Sequence, residues 1–229
     1  MKQILIKTLL TVAILTYSYI GEAQIFKAKV ISGFNLSQVD GDETYGFKKI
    51  GFTGGLGVSV HVHKNLAFSL ETLYSQKGSR LGSQFRDTID NVPLDGSYKL
   101  KLNYAEIPLM FYYTDNIVSA GIGVSYNRLV ELGEWRHKAP IDTVTMKSGV
   151  FSPNDWIGFG DVSVRVYKNL FANLRYSYSL KKIATRNIRD SKTGNMNIRD
   201  FYNNLWSFRI VYMINEQPPK RKPPKDFSK

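Results

Sequence analysis

The sequence predicts an all-β protein: one eight-stranded antiparallel transmembrane β-barrel. Three observations carry this. Apolar and polar residues alternate with period 2 through eight segments, and helical periodicity is nearly absent. The connections alternate between tight turns and long loops, as they do in outer-membrane barrels. One face of the segments is continuously apolar, whereas the other is small or polar and carries charges of both signs.

The N-terminus reads as an export signal. Lys2 and Lys7 give a basic start, and an apolar run follows from Thr8 to Ile20. Gly21-Glu22-Ala23 then places small residues where signal peptidase needs them. The run is shorter than the about 20 residues of a spanning helix. Cleavage is expected after Ala23, leaving residues 24–215 as the barrel and 216–229 as a disordered, basic, Pro-rich tail. The chain has no cysteine, which excludes disulfides and a lipid anchor through cysteine.

No later apolar stretch is long enough for a transmembrane helix, so a helical membrane protein is excluded. A barrel is not, because its strands alternate. The net charge is +12, a value that by itself suggests nucleic acid. An exported chain does not meet nucleic acid. Anionic lipid headgroups or surface polysaccharide fit a basic envelope protein better.

The strands are expected at 26–37, 49–63, 66–78, 98–113, 116–131, 155–167, 170–184 and 201–214. Tight turns fall at His63-Lys64-Asn65, Thr114-Asp115-Asn116 and Tyr167-Lys168-Asn169. Long loops fall around 38–48, 79–97, 132–154 and 185–200. An even strand number returns both termini to the short-turn side, the periplasm.

The faces follow strand by strand. In the second, Ile50, Phe52, Leu56, Val58 and Val60 alternate with Gly51, Thr53, Gly55, Gly57 and Ser59. In the fifth, Val118, Ala120, Ile122 and Val124 alternate with Ser119, Gly121, Gly123 and Ser125. In the sixth, Val162, Val164 and Val166 alternate with Asp161, Ser163 and Arg165. The seventh and last strands repeat the pattern, with Leu174 and Tyr176 against Asn173 and Arg175, and Phe208 and Ile210 against Ser207 and Arg209. A soluble barrel must fill its interior with bulky apolar side chains or a ligand. The polar face has too little apolar volume for that, so it faces inward and the apolar face meets lipid. A charge on the lipid face costs about 2–4 kcal/mol at midplane, and that face avoids charges almost completely.

In the fourth strand the phase changes. Leu100, Leu102 and Tyr104 are even, whereas Ile107, Leu109, Phe111 and Tyr113 are odd. A β-bulge near Ala105-Glu106 produces such a change, and Pro108, which donates no ladder bond, is tolerated beside one. Glu106 then points inward.

The segment Asn103-Tyr104-Ala105-Glu106-Ile107-Pro108-Leu109-Met110-Phe111 resembles the Glu-Ile-Pro-Leu strand of small outer-membrane β-barrel proteins of Bacteroidota, the group that includes the PorT-like proteins. The signal ending in Ala23-Gln24 and the Gly33-Phe34-Asn35-Leu36 strand are similar too. The resemblance implies an eight-stranded outer-membrane barrel and assigns no molecular activity. The tail after Ile214 departs from the usual pattern, in which a strand ends the chain.

The expected inward charges are Lys29, Glu71, Glu106, Asp161, Arg165, Arg175 and Arg209. Carboxylates beside arginines serve acid–base chemistry. They equally serve as the ion pairs that fill a lumen only wide enough for side chains. The second reading is taken, because no further catalytic constellation is present. His61 and His63 share a strand face at the turn end but lack a third metal ligand. Asp40-Gly41-Asp42-Glu43 is only a fragment of a calcium loop. Asn187-Ile188-Arg189-Asp190 recurs as Asn197-Ile198-Arg199-Asp200, which reads as a hairpin extending strands seven and eight. No catalytic residue, cofactor or metal is expected.

The expected protein is an integral outer-membrane barrel with a plugged lumen, a structural or interaction role and outer-membrane lipid as partner. One alternative is membership of a secretion or transport assembly with envelope proteins as partners, as the PorT-like resemblance suggests. The other is a barrel enzyme acting on envelope lipid, which requires a nucleophile and base at the outer rim.

Overall fold

The computed structural model describes residues 26–83, 87–89, 92–94, 96–189 and 195–214. The export signal and the basic tail read from the sequence lie outside the described residues. Eight long strands form a ring: β1 Phe26–Asp40, β2 Lys49–His61, β3 Leu66–Leu81, β4 Tyr98–Asp115, β5 Val118–Arg136, β6 Asn154–Tyr167, β7 Leu170–Ser179 and β8 Met196–Ile214. Each pairs antiparallel with its chain neighbour. β8 pairs back onto β1 from Ala28↔Ile214 to Asp40↔Tyr202, which closes the sheet. Closure leaves no unpaired backbone edge in lipid, where each unmet N–H or C=O is expensive. Among the described residues no helix is long and apolar enough to cross a membrane.

Tight turns and long loops segregate to opposite ends. Asn116 and Lys168 adopt φ of 54° and 29°, the left-handed values that the two tight turns following β4 and β6 require. At the other end, Asp87–Ile89 pairs with Val92–Leu94 in one long loop.

The alternation places odd residues inward in β1, in β2 from Gly51 on, and in β3, β6, β7 and β8. The even face is apolar and exposed: Leu56 is 63% exposed, Ile122 72% and Val166 64%. A continuous apolar band of this size marks a surface that water does not cover. Aromatic pairs border it towards the long loops, with Tyr126 and Trp156 at 5.3 Å and Tyr176 and Trp206 at 4.8 Å between ring centres. This is the aromatic girdle of a barrel at the membrane interface.

Three expectations need correction. The first is the bulge, which lies in β5 rather than β4. The β4–β5 register shifts between Asn103 and Tyr104, which face Glu131 and Leu129 and so leave Val130 as the extra residue. β4 keeps one phase throughout, with Leu100, Leu102 and Tyr104 buried inside on the same side as Glu106. The apolar change in β4 therefore reports a change in what the barrel contains, not a change of face. Pro108 interrupts pairing with β3 without shifting the register.

The second concerns β2, which ends at His61. His63 is an exposed turn residue, so the two histidines do not share a strand face. The third concerns β7, which ends at Ser179. Ile183 folds in at 1% exposed and donates its N–H to the Phe201 carbonyl, which breaks the strand. Ala184–Arg189 then pairs with Met196–Phe201, forming the anticipated hairpin above β8. Its tip, residues 190–194, lies outside the described residues.

Candidate functional site: the occupied lumen

The lumen fills in three layers, each set by which residue types occupy the inward positions at that height. The first is an ion-pair layer in the half nearer the short turns. Glu71 on β3 faces three cations. Arg175 and Arg209 each lie 3.2 Å from its Oε2, and Lys29 lies 3.9 Å from Oε1. Asp161 on β6 takes Arg175 at 2.8 Å and Arg209 at 2.7 Å through Oδ2. Asn173 donates to Asp161 and accepts from Arg209 Nε at 2.7 Å. Lys29 also donates to Ser69 at 2.8 Å. Arg175 lies 4.0 Å over the Phe159 ring. Glycines make the room: a Cβ on Gly123 would lie 2.5 Å from Phe159 Cζ.

The second layer holds a separate pair. Lys77 Nζ lies 2.5 Å from Glu106 Oε1, and 5.0 Å over the Tyr104 ring. Above it Asp155 accepts from Ser179 at 3.0 Å and from Asn203 at 2.9 Å. Asn35 donates to Ser75 at 2.9 Å and accepts from Ser207 at 2.7 Å.

The third layer is apolar and closes the end facing the long loops. Val39, Leu100, Leu102, Leu129 and Phe201 from the strands pack with Val144 and Phe151 from the loop after β5 and with Ile183. Beneath the ion pairs, towards the short turns, a cavity of about 50 Å³ opens between Lys29, Tyr112, Arg165 and Met213.

The structure thus brings five of the seven expected charges together: Lys29, Glu71, Asp161, Arg175 and Arg209. Glu106 points inward but its partner is Lys77, one layer away. Arg165 stands at the turn end, where it donates to the Lys168 carbonyl at 2.7 Å and lies over Phe171. Lys77 and Asp155 escaped the sequence reading, and Tyr104 entered it only as part of an apolar phase. Lys77 shares the odd phase of β3 with Glu71, which is the signal that finds it.

The loop after β1 is held by its acids individually. Asp42 accepts from the Ser79 hydroxyl and from the Thr44 N–H at 2.8 Å. Burial pushes its carboxyl up to about 6, against the pull of those two hydrogen bonds. Glu43 pairs with Arg199 at 3.0 Å. Their carboxylates thus serve separate contacts. Among the described residues no three His, Cys, Asp or Glu side chains gather as a metal site.

A family model described as "Outer membrane protein beta-barrel domain" matches residues 22–185. A comparison with curated proteins finds no match. Among solved structures, Ail, the attachment invasion locus protein of Yersinia pestis, is 12% identical with a TM-score of 0.46, covering 82% of this chain and 98% of its own. Neisserial surface protein A gives the same identity and TM-score, covering 82% of this chain and 96% of its own. OprG from Pseudomonas aeruginosa is 14% identical with a TM-score of 0.39, covering 82% and 95%. With its family model spanning more than half of the sequence, the chain belongs to the outer membrane protein beta-barrel domain family and resides in an outer membrane.

Proposed function

We propose that this chain is a closed barrel with a structural or interaction role, neither a conducting pore nor an enzyme. Export directed by residues 1–23, with cleavage after Ala23, delivers the chain to the envelope, and the even strand number then puts both termini in the periplasm and the long loops outside the cell. One observation carries the reading: side chains occupy the lumen from the ion pairs to the apolar layer. Eight strands enclose only enough space for side chains, and this interior uses it. Contact with partners then falls to the rims and the tail. The enzyme alternative needs a nucleophile and base together at the outer rim, and an apolar cluster fills that end.

Purified protein inserted into planar bilayers is expected to give no steady stepwise conductance. Sustained conductance steps would overturn the closed-barrel reading. Membership of a secretion or transport assembly rests on the PorT-like resemblance. Crosslinking in intact cells separates it from a self-sufficient barrel by capturing a fixed envelope partner or none.

A further inference from the structure

We propose that the long-loop ends of β2, β3 and β4 form a docking surface for the phosphorylated headgroup of an outer-leaflet glycolipid. The inference rests on the orientation proposed above, with the long loops outside the cell.

Arg80 on β3 and Lys99 on β4 stand directly opposite each other in the ladder. Both point outward and are exposed. Like charges directly opposite across a sheet destabilise it. Two more cations join them. Lys101 is the next outward residue on β4, and Lys49, at the start of β2, lies within electrostatic reach of Arg80, Lys99 and Lys101. Among the described residues a single carboxylate lies at ion-pair distance from this group. Glu131 lies 2.5 Å from Lys101 and accepts from Asn103 at 2.5 Å. Lys99 lies 4.9 Å over the Trp135 ring. Among the described residues, neither Arg80 nor Lys49 meets a carboxylate at ion-pair distance. By contrast, Lys182 and Arg199, at the same end on the β8 side, meet Asp200 at 3.2 Å and Glu43 at 3.0 Å. The strand ends of one side are thus built with repulsion that an external anion removes.

Height selects the anion. The surface begins at the aromatic girdle, where Asn103 donates to the Tyr74 hydroxyl at 2.7 Å. Arg80 lies six residues beyond Tyr74 on the same strand. At about 3.3 Å per residue and a tilt of about 40°, that is about 15 Å above the girdle. A glycerophospholipid carries one phosphate beside its acyl chains. A glycolipid carries its phosphates on a sugar headgroup that stands above the acyl chains. Its phosphate oxygens accept a bidentate pair of bonds from Arg80 and single charge-assisted bonds from the lysines.

The test is a binding titration of folded, detergent-solubilised protein. The probes are bis-phosphorylated lipid A, the same lipid dephosphorylated, phosphatidylglycerol and inorganic phosphate. The expected result is binding of phosphorylated lipid A alone. The R80Q/K99Q double variant should bind it about 30-fold more weakly, at about fivefold per basic residue beside an anionic surface. K49Q should lose about fivefold, and K147Q, on the loop after β5, nothing. Without lipid the double variant should melt no lower than the parent, because a repulsion has been removed. If it fails to fold, K49Q carries the test. Unchanged affinity in R80Q/K99Q or K49Q overturns the proposal. So does equal binding of phosphatidylglycerol, dephosphorylated lipid A or inorganic phosphate, and so does equal competition by a soluble sulfated polysaccharide. Orientation is read separately, from labelling of Lys147 on intact cells, so an inverted barrel and an absent site give different results.

Discussion

Lys77 and Glu106 show what a charge is for inside this barrel. Both side chains are at least nine-tenths buried, and each is the other's ion-pair partner. Removing one member of such a pair strands the other, at about 3–5 kcal/mol. Glu106→Ala should therefore lower the temperature at which the folded gel band disappears. The nearby Asp155, whose field also reaches Lys77, places the loss at the lower end of that range. Combining Lys77→Met with Glu106→Leu should recover most of it, because apolar residues of similar volume substitute well for a buried pair. An unchanged temperature for Glu106→Ala would mean that the carboxylate is solvated. Glu71, Asp161, Arg175 and Arg209 are legible in the sequence because each is a charge in the small, polar phase of an otherwise apolar strand. The partner of Glu106 is not, because which inward charges meet depends on the stagger between the neighbouring strands β3 and β4 rather than on either strand alone. Arg165 carries the same phase signal, yet sits at the turn, where it donates to the Lys168 carbonyl.

At the level of elements, β4 and β5 mark where a period-2 reading stops being sufficient. A switch in apolar phase arises when a strand changes face or when the medium on one face changes. In β4 the medium changes: Leu109 and Phe111 face lipid, whereas Leu100 and Leu102 pack inside an apolar layer beyond the girdle. The face changes in β5 instead, where Val130 and Glu131 are both exposed and Leu129 and Glu134 are buried. In the string Leu129-Val130-Glu131-Leu132 the alternation breaks only at the adjacent pair Leu129-Val130, which a strand entering an apolar layer produces equally well. The loop after β1 makes a prediction of its own. Asp42 titrates near 6 in the folded protein against an ordinary 3.8, so the folded loop holds its proton longer than the unfolded one. Docking of this loop onto Ser79 should weaken as pH rises from about 4 to about 6 and then stay level. Hydrogen exchange of residues 41–48, corrected for intrinsic rates, should show more protection at pH 4.5 than at pH 7. Asp42→Asn should flatten the difference. Greater protection at pH 7 would contradict the assignment.

At the level of the whole molecule, one ring of strands separates two media. Lipid requires an apolar band without charges, and the narrow interior requires side chains that satisfy one another. Eight strands, their turns and the composition of both faces were readable because each medium acts on every second residue. The filling of the far end was not, since Val144, Phe151 and Ile183 come from loops with no period to follow. The division between lipid and lumen is tested most directly on β6, by spin labels on cysteines placed singly from Asp161 to Tyr167. Labels at 162, 164 and 166 should be relaxed by oxygen dissolved in the bilayer. Labels at 161 and 163 should be protected from it. A reversed pattern, or a flat one, would contradict a barrel that turns its apolar face to lipid and fills its polar interior with its own side chains.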